Sequence, residues 1–365
     1  MNDPEPRRVD LDRRRFMRAA GTGAVLLGVG GLMGNAHAQT ADSGLVTASA
    51  GDIRGALRRA DSVAADADRL PPPISRDHAI HHDIELVARQ VVAKLDSGAS
   101  FEFMTWDGQV PGPMIRVRQG DTVSLTVTNA RGNTRPHNVD MHAVYGTGGG
   151  SAATMVGPGQ SHTEKFKCLY PGAFIYHCAV GNMDEHISRG MFGMILVEPR
   201  DGLPPVDREF YIGQHELYTQ QPFGSHGTLS FDYQAMARED PGYVLFNGAV
   251  AGYTAGRFGP LQANVGETVR VLMVSGGPNL MSSFHAIGNV WTRCWPQGAL
   301  ANPPLRYVQT QPVPPGSCFV GDMELPVPET IKLVDHALSR VARKGLLAEI
   351  EVKGKPNPDV YRASA

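Results

Sequence analysis

The residues with the strongest claim to chemistry are His177-Cys178, His186 and Met191, a C-x7-H-x4-M spacing on a loop between two apolar runs. A thiolate, two imidazoles and a weak axial thioether form the ligand set of a blue-copper electron-transfer site. The second imidazole has to come from an earlier strand. His137, in Arg135-Pro136-His137-Asn138-Val139-Asp140-Met141-His142, is the candidate. The plain alternative is an ordinary buried thiol at Cys178 and a surface histidine at His186. Four donors at matching spacing argue against it.

His177 follows a different logic. Successive residues of a strand point to opposite faces, so His177 faces away from whatever Cys178 holds. His142 lies five residues after His137, an odd offset, and an extended segment turns it to the same opposite side. Two histidines are thereby placed together, away from the first centre. A catalytic metal site takes three protein ligands and an open position. The third is missing from this stretch.

The elements that must position these side chains read as all-β. Of 365 residues, 42 are Gly and 27 are Pro, while 42% are apolar and 19% charged. That composition fills a core and supplies many turns between short strands. The length fits two domains. Formal net charge is -2, which gives no electrostatic case for nucleic acid or an anionic membrane. Four cysteines, at 168, 178, 294 and 318, are too few for a disulfide scaffold. Cys168 reads as core, and Cys294 and Cys318 as either a disulfide or two buried thiols.

Along the chain, Arg13-Arg14-Arg15-Phe16 resembles a twin-arginine export signal, followed by an uncharged Ala/Gly/Leu stretch and Ala36-His37-Ala38 as the cleavage site. The stretch is too short and glycine-diluted to span a membrane, so residues 1–38 are expected to be removed and the mature protein to be periplasmic. Residues 39–82, rich in Ala, Asp and Ser, read as a flexible arm. β texture runs over 83–199, the Pro/Gly-rich 200–207 is a linker, a second β block covers 208–352, and 353–365 is a tail. Short helices are expected near Tyr233–Arg238 and His336–Lys344. The segment from Val117 to Leu125 matches that from Ala263 to Val271, and an isolated histidine follows each, His137 and His285. A diverged repeat, two tandem Greek-key β-sandwiches, is the simplest architecture.

Residues 84–352 resemble the copper-containing nitrite reductases, two-domain cupredoxin enzymes, through His137-Asn138-Val139-Asp140-Met141-His142 and Tyr176-His177-Cys178. The run from Gly190 to Pro199 is similar to the branch with a shortened type 1 loop. The resemblance implies that His137, Cys178, His186 and Met191 bind type 1 copper and that His142 and His177 bind type 2 copper. It implies a third type 2 ligand, His336, from the neighbouring subunit of a homotrimer. Asp140 and His285 would be the active-site acid and histidine, and Ile287 the residue crowding the substrate. The implied reaction is one-electron reduction of nitrite to nitric oxide and water, fed by a small periplasmic cupredoxin or cytochrome c.

The chain departs from the family pattern in two places. The loop from Ala179 to Glu185 lacks a proline expected there and offers a second thioether, Met183; the stretch after His336, from Ser339 to Lys344, is unusually basic. Two rivals remain. A two-domain multicopper oxidase would carry His-Cys-His where this chain has His177-Cys178-Ala179. A non-catalytic blue-copper carrier would not need His142, His177 and His336.

Overall fold

The computed structural model describes residues 57–362; the expected export signal and the first part of the expected arm lie outside them. Eight strands build the first half: β1 (His81–Lys94), β2 (Ala99–Trp106), β3 (Ile115–Arg118), β4 (Thr122–Asn129), β5 (Asp140–Met141), β6 (Ser161–Lys167), β7 (Gly172–His177) and β8 (Phe192–Glu198). The second half holds β9 (Arg208–Leu217), β10 (Gly227–Leu229), β11 (Tyr243–Phe246), β12 (Leu261–Asn264), β13 (Thr268–Gly277) and β14 (Ser282–Ile287). It continues with β15 (Arg293–Trp295), β16 (Thr310–Val313), β17 (Ser317–Glu324), β18 (Glu329–Asp335) and β19 (Ala348–Lys353). Helices are short: α1 (Met183–Ser188), α2 (Tyr233–Ala237) and α3 (Ser339–Lys344).

These strands form two sandwiches of two sheets each, β10-β2-β1-β4-β6 over β3-β8-β7-β5, then β11-β9-β13-β17-β15 and β12-β19-β18-β14-β16. The repeat read from the sequence is visible in the ladders. β1 runs parallel to β4 as β9 does to β13, and β3 parallel to β8 as β12 does to β19. The matching turns sit on Gly120 and Gly266, at φ 102° and 90°, a left-handed conformation that glycine adopts without the Cβ penalty. No strand lies between Glu198 and Arg208, where the linker was expected. β10 breaks the partition: it comes from the second half and pairs with β2 of the first.

Alternation along β7 sends one set of side chains into its own sandwich and the other into the contact between the two. On β7, Tyr176 faces the first core, as does Cys178 just beyond it, while Ala173 and Ile175 join Tyr211, Leu217, Leu272 and Val320 in the contact. Crossing that contact is a buried charge ladder. Arg116 donates to Glu198 at 2.5 Å and to Glu209 at 2.5 and 3.1 Å; Arg270 lies 3.5 Å from Glu209 and donates to Asp322 at 2.7 Å. Removing one partner of a buried pair strands the others. Arg116→Met should therefore cost about 3 to 5 kcal/mol of stability, read by denaturant unfolding.

Two expectations are corrected and one open alternative is decided. From Leu57 to Ala67 the expected arm is packed: Leu57, Val63 and Ala67 are buried, and Ala65 N–H donates to Val110 O at 3.0 Å, Tyr211 N–H to Ala67 O at 2.7 Å. Small alanines look uncommitted by composition but suit a segment lying flat on a sheet. The ligand loop is not all loop, because α1 carries His186. Cys294 and Cys318 are free buried thiols, and the disulfide reading falls.

Candidate functional site

The ends of β5 and β7 place the first cluster. Cys178 Sγ lies 3.7 Å from His137 Nδ1 and 3.3 Å from His186 Nδ1, and all three side chains are buried. Their ligand atoms fall within 4.8 Å of one another. Met191 is buried in the same core; its N–H donates to His186 O at 3.0 Å and its carbonyl accepts Cys178 N–H at 3.1 Å. Met183, the rival thioether, is 47% exposed at the start of α1. Asn138, which the sequence reading passed over, accepts from Ala179 N–H at 2.8 Å and from the Cys178 thiol at 3.8 Å.

Burial sets the protonation of this cluster. It pushes His137 down to about 3 and His186 down to about 4, so both imidazoles are neutral with lone pairs free near pH 7. The same burial pushes the Cys178 thiol up to about 11. A neighbouring cation is needed to make it a thiolate. Two neutral imidazoles and a soft sulfur that ionises only beside a cation fit a copper ion well.

The second cluster lies on the other face, as the alternation required. His142 Nε2 and His177 Nε2 are 3.2 Å apart with ring centroids 5.2 Å apart, and Asp140 pairs with His177 across β5 and β7. His177 Nδ1 is 3.1 Å from Cys178 O. A carbonyl can only accept, so Nδ1 carries the proton and Nε2 offers its lone pair; such a second bond fixes the tautomer of a metal-ligating histidine. Burial, and then the neighbouring His177 ring, lowers the His142 pKa. The glycine loop at 147–150 covers Asp140: a Cβ on Gly149, at φ +59°, would fall 2.0 Å from Asp140 Oδ1.

His336 is not brought to this pair within one chain. It stands exposed at the end of β18, beside His285 with ring centroids 5.2 Å apart. His285 Nδ1–H donates to Gln309 O at 2.6 Å, leaving Nε2 outward, and Ile287 is an exposed neighbour on β14. Part of the basic stretch after His336 has a job that a solvated face would not: Asp335, buried, accepts from Ser283 N–H at 3.0 Å, from Ala337 N–H at 2.9 Å and from Arg340. That turn aims His336. The chain thus carries two separate groupings, Asp140/His142/His177 and His285/Ile287/His336.

Ladder register explains their relation. Anchoring Val117 on Ala263 sets Val197 on Val352 through the parallel pairs, and Gly172 on Glu329 through the antiparallel ones. Asp140, opposite His177, then coincides with His285, opposite Val334, which corrects the expected match of His137 with His285: the two histidines stand three residues out of register. Extending the same register, His137 falls on Ser282, Cys178 on Asp335 and Met191 on Leu346. At the positions of His137, Cys178 and Met191 the second repeat carries a serine, a carboxylate that holds a turn, and a leucine.

A family model described as multicopper oxidase matches residues 88–202. A copper-containing nitrite reductase of Neisseria meningitidis is 43% identical over 304 residues, 82% of this chain and 77% of the relative. One from Cereibacter sphaeroides is 33% identical over 357 residues, 88% of this chain and 94% of the relative. The solved copper nitrite reductase of Nitrosomonas europaea superposes with a TM-score of 0.68 at 31% identity, over 76% of this chain and 96% of that one. Coverage of this extent spans both repeats, well beyond the stretch matched by the oxidase model: the chain belongs to the copper-containing nitrite reductases.

Proposed function

We propose that this enzyme, which reduces nitrite to nitric oxide and water, takes its electron in at His137, Cys178, His186 and Met191. Nitrite is then handled at His142 and His177, completed by His336 of the partner subunit. The observation that carries this reading is the back-to-back placement of two donor clusters on adjacent residues: Cys178 belongs to one and His177 to the other, one peptide bond apart. Copper supplies one-electron chemistry at the first cluster and a Lewis-acid site for nitrite at the second.

The remaining chemistry belongs to the chain. Nitrite takes up one electron and two protons to give nitric oxide and water. Asp140, on the same side as His142 and His177, hands a proton to the departing oxygen, and His285 Nε2, without a partner among the described residues, is the second source. Ile287, exposed beside His285, narrows the space for substrate. Two incomplete half-sites on one chain favour assembly by rotation, a homotrimer in which each chain's second repeat closes its neighbour's first. The Arg13-Arg14-Arg15 signal favours export as a folded protein to the periplasm, where a small cupredoxin or cytochrome c serves as donor.

The test is anaerobic: copper-loaded protein with a chemical reductant should consume nitrite and release nitric oxide in equal amounts. A fully loaded preparation that makes none would refute the reading. Asp140→Asn keeps the size but cannot give up a proton, so it should lower kcat by ~10² or more with copper content unchanged, the usual worth of general acid catalysis. Copper lost in step with activity would instead make Asp140 a support for His142.

A further inference from the structure

Glu185 sits directly before His186 in α1, and its side chain is fully buried. Its two oxygens are divided between two arginines: Arg135 Nη1 donates at 2.8 Å and Arg189 Nε at 2.9 Å. Arg135 stands two residues before His137, and Arg189 two residues before Met191. One carboxylate therefore ties together the three segments that deliver His137, His186 and Met191. Arg189 goes further: its guanidinium lies 5.2 Å from the Phe101 ring and 4.9 Å from that of Phe231, and it donates to Glu102 O at 3.0 Å. Phe231 belongs to the second half of the chain, so the cluster also spans the two repeats.

We propose that Glu185, with Arg135 and Arg189, is a positioning and charge-tuning residue for the electron-entry centre, setting how readily that centre is reduced. The inference rests on the reading that His137, Cys178, His186 and Met191 hold copper. In a low-dielectric setting, charges this close act strongly and are little screened by salt. A fixed negative charge favours the more positive, oxidised ion, and a fixed positive charge favours the reduced one. The triad carries two positive charges and one negative, with the partly exposed Glu102 carboxylate a further 3.6 Å from Arg189, and Glu185 is the fully buried negative member that restrains the preference for the reduced state.

The test is a redox titration of the purified, copper-loaded holoenzyme, following the visible band of the thiolate centre. Glu185→Gln keeps shape and an acceptor oxygen but removes the charge, and should raise the midpoint potential, by about tenfold in the electron-transfer equilibrium with a fixed donor. Arg135→Gln, at a partly exposed position, should lower it by less. Glu185→Asp should keep the wild-type direction of charge while shifting the band through altered geometry. Opposite-signed shifts are the expected signature. Unchanged potentials, or shifts of the same sign in both glutamine variants, would reduce Glu185 to a helix brace. If Glu185→Gln takes up no copper, Arg135→Gln decides alone: a lowered potential supports the tuning role and an unchanged one overturns it. A wild-type protein without the visible band would instead refute the copper reading beneath it.

Discussion

Cys178→Ala should abolish the charge-transfer colour and reduce turnover with a protein electron donor to background. On the proposed reading the sulfur is the thiolate of the cluster, 3.3 Å from His186 Nδ1 and 3.7 Å from His137 Nδ1, and the Met191 thioether cannot take a negative charge in its place. It also begins the covalent path to His177, so its loss breaks electron delivery as well as binding. His142 and His177 sit on the other face of the strand and lose no side-chain partner, so nitrite should still bind there. Because Cys178 is already buried among Val139, Tyr176 and Met191 in one core, alanine leaves a small cavity and the fold should persist. Colour retained in the variant would remove Cys178 from the site.

The second large effect concerns assembly. His336→Ala should eliminate nitrite reduction while leaving the coloured centre intact, since His137, Cys178, His186 and Met191 lie in the other repeat. His142→Ala should do the same. Neither change touches the other half-site within its own chain, because His336 lies beside His285 and outside the Asp140, His142, His177 cluster. When the two variants are co-assembled, some interfaces join an intact first repeat to an intact second repeat, and activity should return in proportion to their number. No recovery at any mixing ratio would contradict a site shared between subunits. A control mixing His142→Ala with His177→Ala should recover nothing, since both lesions fall in the same half-site.

Much of this was legible because ligand spacing is local. The C-x7-H-x4-M run lies on one connection, and the period of two along β7 was enough to set His177 against Cys178. The repeat was legible as well, through the turns at Gly120 and Gly266, whose backbone demands glycine in both halves. What the sequence hid depends on partners far along the chain. Residues from Leu57 to Ala67 look like a polar, alanine-rich tail until Val110 and Tyr211 provide backbone partners. β10 is three residues long and acquires its meaning only by pairing with β2 of the other half. Helix α1 is too short to show a helical period; it begins after Asn182 at φ 62°, a left-handed conformation that asparagine tolerates, with Asp184 and Glu185 in its first turn. Glu185 itself reads as a surface charge beside a histidine. Only the approach of Arg135 and Arg189, one from each flank, makes it a buried hub. Cys294 and Cys318 were undecidable from spacing, since their pairing depends on which strands adjoin.

Metal analysis combined with paramagnetic resonance on the purified protein counts the copper centres directly. Two copper ions per chain are expected in equal amounts, one with the narrow splitting of a thiolate-bound centre and one with the wider splitting of an all-nitrogen site, and His336→Ala should remove only the second signal. A single copper per chain carrying only the first signal would make the protein an electron carrier, and a larger cluster with coupled, silent copper would make it an oxidase; either result would contradict two distinct copper centres per chain.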